Sequence, residues 1–292
     1  MLTVIKTFYH FIKDFVHFIL FILRLLYQGK LNNPIKKVEK GTITLLANGP
    51  SLKNIVPLLT TDECFKHTDF IVLNYFPNEK VFWKLRPKYY CLADPMFFGV
   101  SHKEKDVKNL FKNLNNIDWN ICLFIPKYFG KERFLNFSQM NNPNIEIVEI
   151  NSIPYNGFPQ LRNYLYKKGF TMPQIGTVAH LAIYASLNLG YKEIKLYGVE
   201  HTFLDSLCVN EQNQLCNKDK HFYDNEDVKL KPILKNDSIN EIWKISDYLY
   251  GISLMFKGHD LLSDYANYLD VRIINCTKNS MIDSYERISN NM

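Results

Sequence analysis

The sequence predicts an α/β fold, a mostly parallel sheet with helices on both faces, preceded by an amphipathic helix. Three observations carry this. Short β-branched apolar runs alternate with helix-like segments, the pattern of βα units rather than hairpins. The first run, 42–47, reads as a strand buried on both faces. It ends in a tight turn that leads directly into a helix. No internal repeat is present, which excludes a solenoid or propeller. With 292 residues, 47% of them hydrophobic, the chain is too apolar to be disordered.

Residues 1–29 come first. Phe8, Phe11, Ile12, Phe15, Ile19, Ile22 and Leu26 recur at spacings of three and four, so on a helix they share one stripe. The longest charge-free stretch, 15–23, is about half of the roughly 20 residues that a bilayer crossing needs. No small-residue cleavage site follows it, which disfavours a signal peptide. The expectation is a helix lying in a membrane surface, with Lys6, Lys13 and Arg24 reaching to the headgroups. Lys30, Lys36, Lys37 and Lys40 would add attraction to anionic lipid. The alternative is a helix packed on the chain's own body or on a partner subunit. Residues 30–40, with Asn-Asn-Pro and a basic run, read as a linker, and 41–292 as a single α/β domain.

Charge follows the same division. Of 35 Lys and Arg and 29 Asp and Glu, seven and two fall in residues 1–40, leaving 28 and 27 for the rest. So neutral a body is a poor polyelectrolyte binder, and no nucleic-acid partner is expected. The six cysteines form no CxxC pair and read as reduced thiols, with a Cys208–Cys216 clip as the alternative.

After the first strand come Asn48, Gly49, Pro50 and Ser51. Gly49 permits a tight turn close to a ligand, Pro50 suits the first helical turn, and Ser51 can cap the helix or touch a ligand. Such a corner can turn backbone N–H groups and a helix start toward a phosphate, or it can be an ordinary βα turn. Further strands are expected over 70–76, 88–93, 121–126, 145–150, 193–199 and 271–276. Helices are expected over 52–59, 177–189, 238–269 (broken near Gly258) and 280–288. In parallel sheets ligands bind beyond the carboxyl ends of strands, which gives weight to Asn48, Asn74, Asp94, Glu200 and His201.

At this point the sequence resembles a family. Leu45–Lys53, LLANGPSLK, is similar to the G-N-G-P-S-L-K nucleotide-binding signature of the bacterial sialyltransferases of glycosyltransferase family 42. Leu189-Gly190-Tyr191-Lys192-Glu193-Ile194 and Gly198-Val199-Glu200 resemble further blocks of that family, and Cys276–Ser280 resembles its C-terminal strand exit. A wider group of polysaccharide-assembly glycosyltransferases shares the first two blocks. The resemblance implies a Rossmann-like sheet in the sialyltransferase-like GT-A variant. It also implies an inverting transfer from a nucleotide-sugar, CMP-sialic acid or a related CMP-sugar foremost, to a bacterial surface glycan. Asn74 would then lie near the nucleoside and Asp94 near the donor phosphate, with Gly176 and Thr177 also at the donor. The chain departs from the family at Ala47, Asp94, Val178 and Ala179, and Ser253 stands at the ungapped place of the family's histidine.

Inverting transfer needs a base for the acceptor hydroxyl, a task suited to histidine. Three histidines compete. His201 leaves a strand beside Glu200, which would orient its ring; His221 sits in a polar–aromatic loop; His259 has the family's approximate location. His180 reads as a core residue. Lys218, Lys220 and Tyr223 are candidates for the leaving phosphate, within a lid region near 202–237. There is no Asp-x-Asp metal clamp, and 224–227 reads as a solvated acidic loop, so no metal site and no required cofactor are expected, with divalent help left open. The partners expected are a nucleotide-sugar, a glycan or lipid-linked acceptor, and a membrane surface bound through residues 1–29. That implies peripheral attachment to the cytoplasmic face of the inner membrane, with a homo-oligomer left open. The alternatives are a UDP-hexose or UDP-galactofuranose transferase of capsule or O-antigen assembly, another nucleotide-dependent enzyme such as a pyrophosphokinase, and a non-catalytic membrane-recruited scaffold.

Overall fold

A computed structural model describes residues 2–37, 41–99, 104–217, 230–236 and 240–287. Its strands are β1 (Thr42–Leu46), β2 (Thr68–Leu73), β3 (Tyr89–Cys91), β4 (Ile121–Pro126), β5 (Ile145–Ile150) and β6 (Glu193–Tyr197). Then follow β7 (Cys208–Val209), β8 (Leu215–Asn217), β9 (Lys231–Pro232), β10 (Leu234–Asn236), β11 (Glu241–Ile242) and β12 (Arg272–Asn275). The helices are α1 (Leu2–Gln28), α2 (Leu52–Ile55), α3 (Lys80–Leu85), α4 (Glu104–Asn115), α5 (Lys131–Ser138), α6 (Pro159–Lys167), α7 (Val178–Leu189) and α8 (Ile245–Tyr268). Seven strands form one sheet in the order β12-β6-β1-β2-β3-β4-β5, with every pairing parallel. This is the Rossmann-like architecture expected.

The two faces follow from the two-residue period of a strand. Ile43, Leu45, Ile71, Leu73, Tyr89, Cys91 and Phe124 point to one side, where α7 and α8 cover them. Leu46, Phe70, Val72, Tyr90, Leu123 and Ile125 point to the other, against Leu110 and Leu114 of α4 and Phe134 of α5. Helix α7 is buried from Ala179 to Leu189, because it lies between the sheet and α8. Thr177 caps its start by accepting from the Ala179 N–H at 3.4 Å, and Gly190 ends it at φ +95°.

Three helix expectations need correction. Helix α2 stops at Ile55 instead of running to 59, with Pro57 just beyond. Helix α8 begins at Ile245 instead of near 238, with β11 ahead of it, and passes Gly258 without a break, since that glycine makes room for a neighbour: a Cβ there would strike the His180 ring. Residues 280–287 are not helical. Ser280 donates to the Val199 carbonyl at 2.7 Å, and Glu286 bridges to Ile274, which ties this segment along the sheet. Helices α3 to α6 were not anticipated. Their short apolar stripes lie among Asn and Lys, a weak periodic signal.

Candidate functional site at the carboxyl edge of the sheet

Strand order reverses between β1 and β6. From β1 the chain moves outward through β2 to β5, and from β6 it continues toward β12 on the other side. The crevice beyond these two strand ends is the usual ligand position of an open parallel sheet. Asn48–Ser51 leave β1 there, and Gly198–His201 leave β6.

The exit of β6 is held firmly. Thr277 Oγ1 accepts from the Val199 N–H at 3.1 Å, and the Glu200 carbonyl accepts from the Met281 N–H at 2.8 Å. Gly198 has φ +72°, and a Cβ on it would lie 3.1 Å from the Ala47 carbonyl oxygen. His201 has φ +54° and Asn74, at the end of β2, φ +47°, so two polar strand-tip residues adopt a conformation that side chains disfavour.

The corner after β1 differs from its expected use. The Gly49 N–H donates to the Gly198 carbonyl at 2.9 Å, and the Ser51 N–H donates to Glu200 Oε1 at 2.6 Å. Two amides expected to face a phosphate are therefore engaged inside the chain, one of them by a carboxylate. Pro50, exposed on the same turn, has no N–H to offer. Glu200 is consequently not the orienting group for His201. Helix α2 is a single turn, too short to supply a helix-end field. Asp94 caps the 3₁₀ turn Pro95–Phe98, accepting from the Met96 N–H at 3.1 Å, and Thr177 is likewise a cap. Gly176 lies with its Cα against Met255 of α8, where a Cβ would come within 3.0 Å, and its N–H donates to His180 Nδ1 at 3.2 Å.

Histidine chemistry is concentrated beside this corner. His201 Nε2 lies 3.0 Å from His259 Nε2, and His259 Nδ1 lies 2.9 Å from the Tyr285 hydroxyl. Two of the three competing histidines are thus parts of one hydrogen-bonded unit. The His180 ring packs on His259 with centroids 4.3 Å apart. Burial pushes His180 down to about 4 and His201 down to about 3, and His259 well below its ordinary value, with the neighbouring imidazoles adding to the effect for the latter two. All three rings are neutral at neutral pH. His201 stacks on Phe203 and keeps one edge toward solvent. Neutral rings allow two proton patterns: Tyr285 donates to His259, which donates to His201; or His201 donates to His259, which donates to Tyr285. His180 and Tyr285 are the members that sequence reasoning did not place at the site. The only sequence sign of the first was Gly258, read as a helix break.

Four buried side-chain atoms in this region have no hydrogen-bond partner: Asn48 Oδ1, Asn74 Oδ1, His180 Nε2 and Glu200 Oε2. Asn48 donates through Nδ2 to the Leu73 carbonyl at 3.4 Å, which leaves its oxygen as the unpaired atom. Among the described residues, no group of His, Cys, Asp and Glu is arranged to hold a metal ion. His221, Tyr223, Lys218 and Lys220 lie outside the described residues. A cavity of about 230 Å³ opens at the opposite, amino edge, lined among others by Lys66, His67, Asp69 and Tyr191. It holds none of the residues above.

No family model matches the chain. No curated protein matches it either. Among solved structures, the MAf glycosyltransferase from Magnetospirillum magneticum AMB-1 is similar, with a TM-score of 0.48 and 11% identity. The match covers 94% of this chain but only 38% of that one. The likeness is one of fold alone.

Proposed function

We propose that the chain is a glycosyltransferase that takes a nucleotide-sugar at the carboxyl edge of its sheet. One observation carries the reading: of the four buried side-chain atoms left without partners among the described residues, three, Asn48 Oδ1, Asn74 Oδ1 and Glu200 Oε2, lie at the strand tips around the switch point. Folded proteins leave few such groups, because each costs about 1–3 kcal/mol. A ligand rich in donors relieves that cost. Asn48 Oδ1 and Asn74 Oδ1 are acceptors, suited to ribose hydroxyls or the exocyclic amine of cytosine. This agrees with the CMP-sugar that the family resemblance favours, with a UDP-sugar second.

The base in this reading is His201. Its Nε2 is engaged by His259, so Nδ1 takes the acceptor's proton while the acceptor oxygen bonds to the anomeric carbon. The bond from that carbon to phosphate breaks, and the phosphate keeps the electron pair. His201 must then carry its other proton on Nε2, donating to His259, which donates through Nδ1 to Tyr285. His259 and Tyr285 are positioning residues that hold this tautomer. An imidazole shifted so low is a weak base when the site is empty. The negative charge of a bound donor phosphate raises its proton affinity. Phosphate contact through the Ser51 amide would require the Glu200 carboxylate to move away, and contact through the Gly49 amide would require its hydrogen bond to the Gly198 carbonyl to break.

Hydrolysis of CMP-, UDP- and GDP-sugars, with and without glycan acceptors, tests the reading. Turnover of one donor, reduced about 10²–10⁴-fold by His201→Ala, is expected. Inertness toward every donor overturns it. The engaged Ser51 amide favours a second reading, a non-catalytic scaffold, which unimpaired cellular function of the His201→Ala, Asn48→Ala double variant would support.

A further inference from the structure

We propose that α1 lies between the body of the protein and an anionic lipid surface, which makes this chain a peripheral membrane protein whatever its sheet edge binds. The helix is fixed to the body along one side. Phe21 and Leu25 are buried against Ile153 and Leu165, and the Phe21 ring lies 5.0 Å from that of Tyr155. Phe11 and Phe18 reach Phe158 at 5.5 and 6.1 Å. Beyond the helix, Asn151 grips both backbone groups of Lys30 at 2.9 Å.

Of the stripe expected from the sequence, Phe11 and Ile22 fall on this docked side, and the rest lies on the other: Phe8, Ile12, Phe15, Ile19 and Leu26, with Leu23 beside them, are between 42% and 65% exposed. At 3.6 residues per turn, the exposed apolar positions from Phe15 round to Leu20 span an arc of about 140°, centred nearly opposite the docked side. Lys6, Lys13 and Arg24 stand in one row along the border of that arc. The helix has one acid, Asp14, and it belongs to the docked side.

This arrangement fits lipid better than a second copy of the chain. The arc is wider than the seam of a helix pair, and a symmetric copy offers no acidic row to meet the cations. An anionic bilayer supplies both partners, an acyl boundary for the arc and headgroups for its basic border. The helix does not cross, for none of those described is long and apolar enough to do so. Lys30 takes no part, since it pairs with Glu149 at 2.9 Å.

Sedimentation of the full chain with phosphatidylcholine vesicles, with and without phosphatidylglycerol, tests this. Binding to the anionic vesicles is expected, weakened by salt. Lys6→Gln, Lys13→Gln and Arg24→Gln should each reduce affinity about fivefold, and together on the order of a hundredfold. Phe8→Ser, Phe15→Ser, Leu26→Ser should abolish binding while thermal unfolding stays unchanged, because those side chains are exposed. Absence of vesicle binding by the unaltered chain overturns the proposal. So does equal binding to neutral vesicles, or a dimer in light scattering that the apolar triple variant splits without any vesicle binding. None of these readouts depends on glycosyl transfer.

Discussion

Acidification should destabilise this protein well above the range where carboxylates titrate. His180 and His259 are buried and His201 half-buried, and in the folded state all three titrate far below the ordinary value of 6.5. The unfolded chain therefore binds protons below about pH 6.5 that the folded chain refuses, so stability is complete above that pH and falls as pH drops through it. One unit below 6.5, each such histidine removes about 1.4 kcal/mol. The two fully buried rings give about 3 kcal/mol by about pH 5.5, and all three about 4 kcal/mol. For a domain with typically 5–15 kcal/mol in hand, that is a large share. Urea unfolding at a series of pH values measures it directly. The slope should shrink by about a third in His180→Asn, or in His201→Gln should that variant fold poorly. A stability curve flat to within about 1 kcal/mol between about pH 7.5 and 5.5 would refute the neutral histidine cluster.

Other expectations follow from the corner itself and from its supports. Gly198→Ala forces an L side chain into φ +72° beside the Ala47 carbonyl and should cost about 2–3 kcal/mol in urea unfolding. Asn151→Ala removes its hydrogen bonds to Lys30 and Gly169; hydrogen exchange in residues 2–37 should accelerate at least tenfold, with the amides of β1 unchanged. Tyr285→Phe frees His259 to take either proton pattern, so transfer should slow about tenfold at an unchanged donor KM.

The sheet was legible because its central strands are largely apolar. The run expected over 121–126 matches β4 to the residue, since a buried parallel strand needs little more than continuous apolar residues, and that over 145–150 matches β5 to the residue although this edge strand carries Glu146 and Glu149. The corner at Asn48–Ser51 was legible as a turn but not in its hydrogen bonding. Sequence spacing cannot reveal that Glu200, about 150 residues away, delivers a carboxylate to the Ser51 amide. Nor could it show that Gly258 serves contact with His180 instead of ending a helix, because the contact joins α7 to α8. In the histidine unit, His201 and His259 were each legible as candidates, while their pairing and the Tyr285 end depend on the tertiary packing that carries residues 280–287 back along the sheet. On α1 the periodic stripe was read correctly as apolar, and its narrower neighbour, Phe18-Phe21-Leu25, proved to be the docking side.

The idea on which the site stands is that unpaired amide oxygens at adjacent strand tips await a nucleoside. Calorimetric titration of CMP, UDP and GDP into the unaltered chain and into the Asn48→Ala, Asn74→Ala double variant addresses it most directly. One of the three should bind, and the double variant should weaken it about 10–100-fold, the loss of two hydrogen bonds. Binding of none of them, or equal binding with both amides removed, would contradict a nucleotide site at this edge.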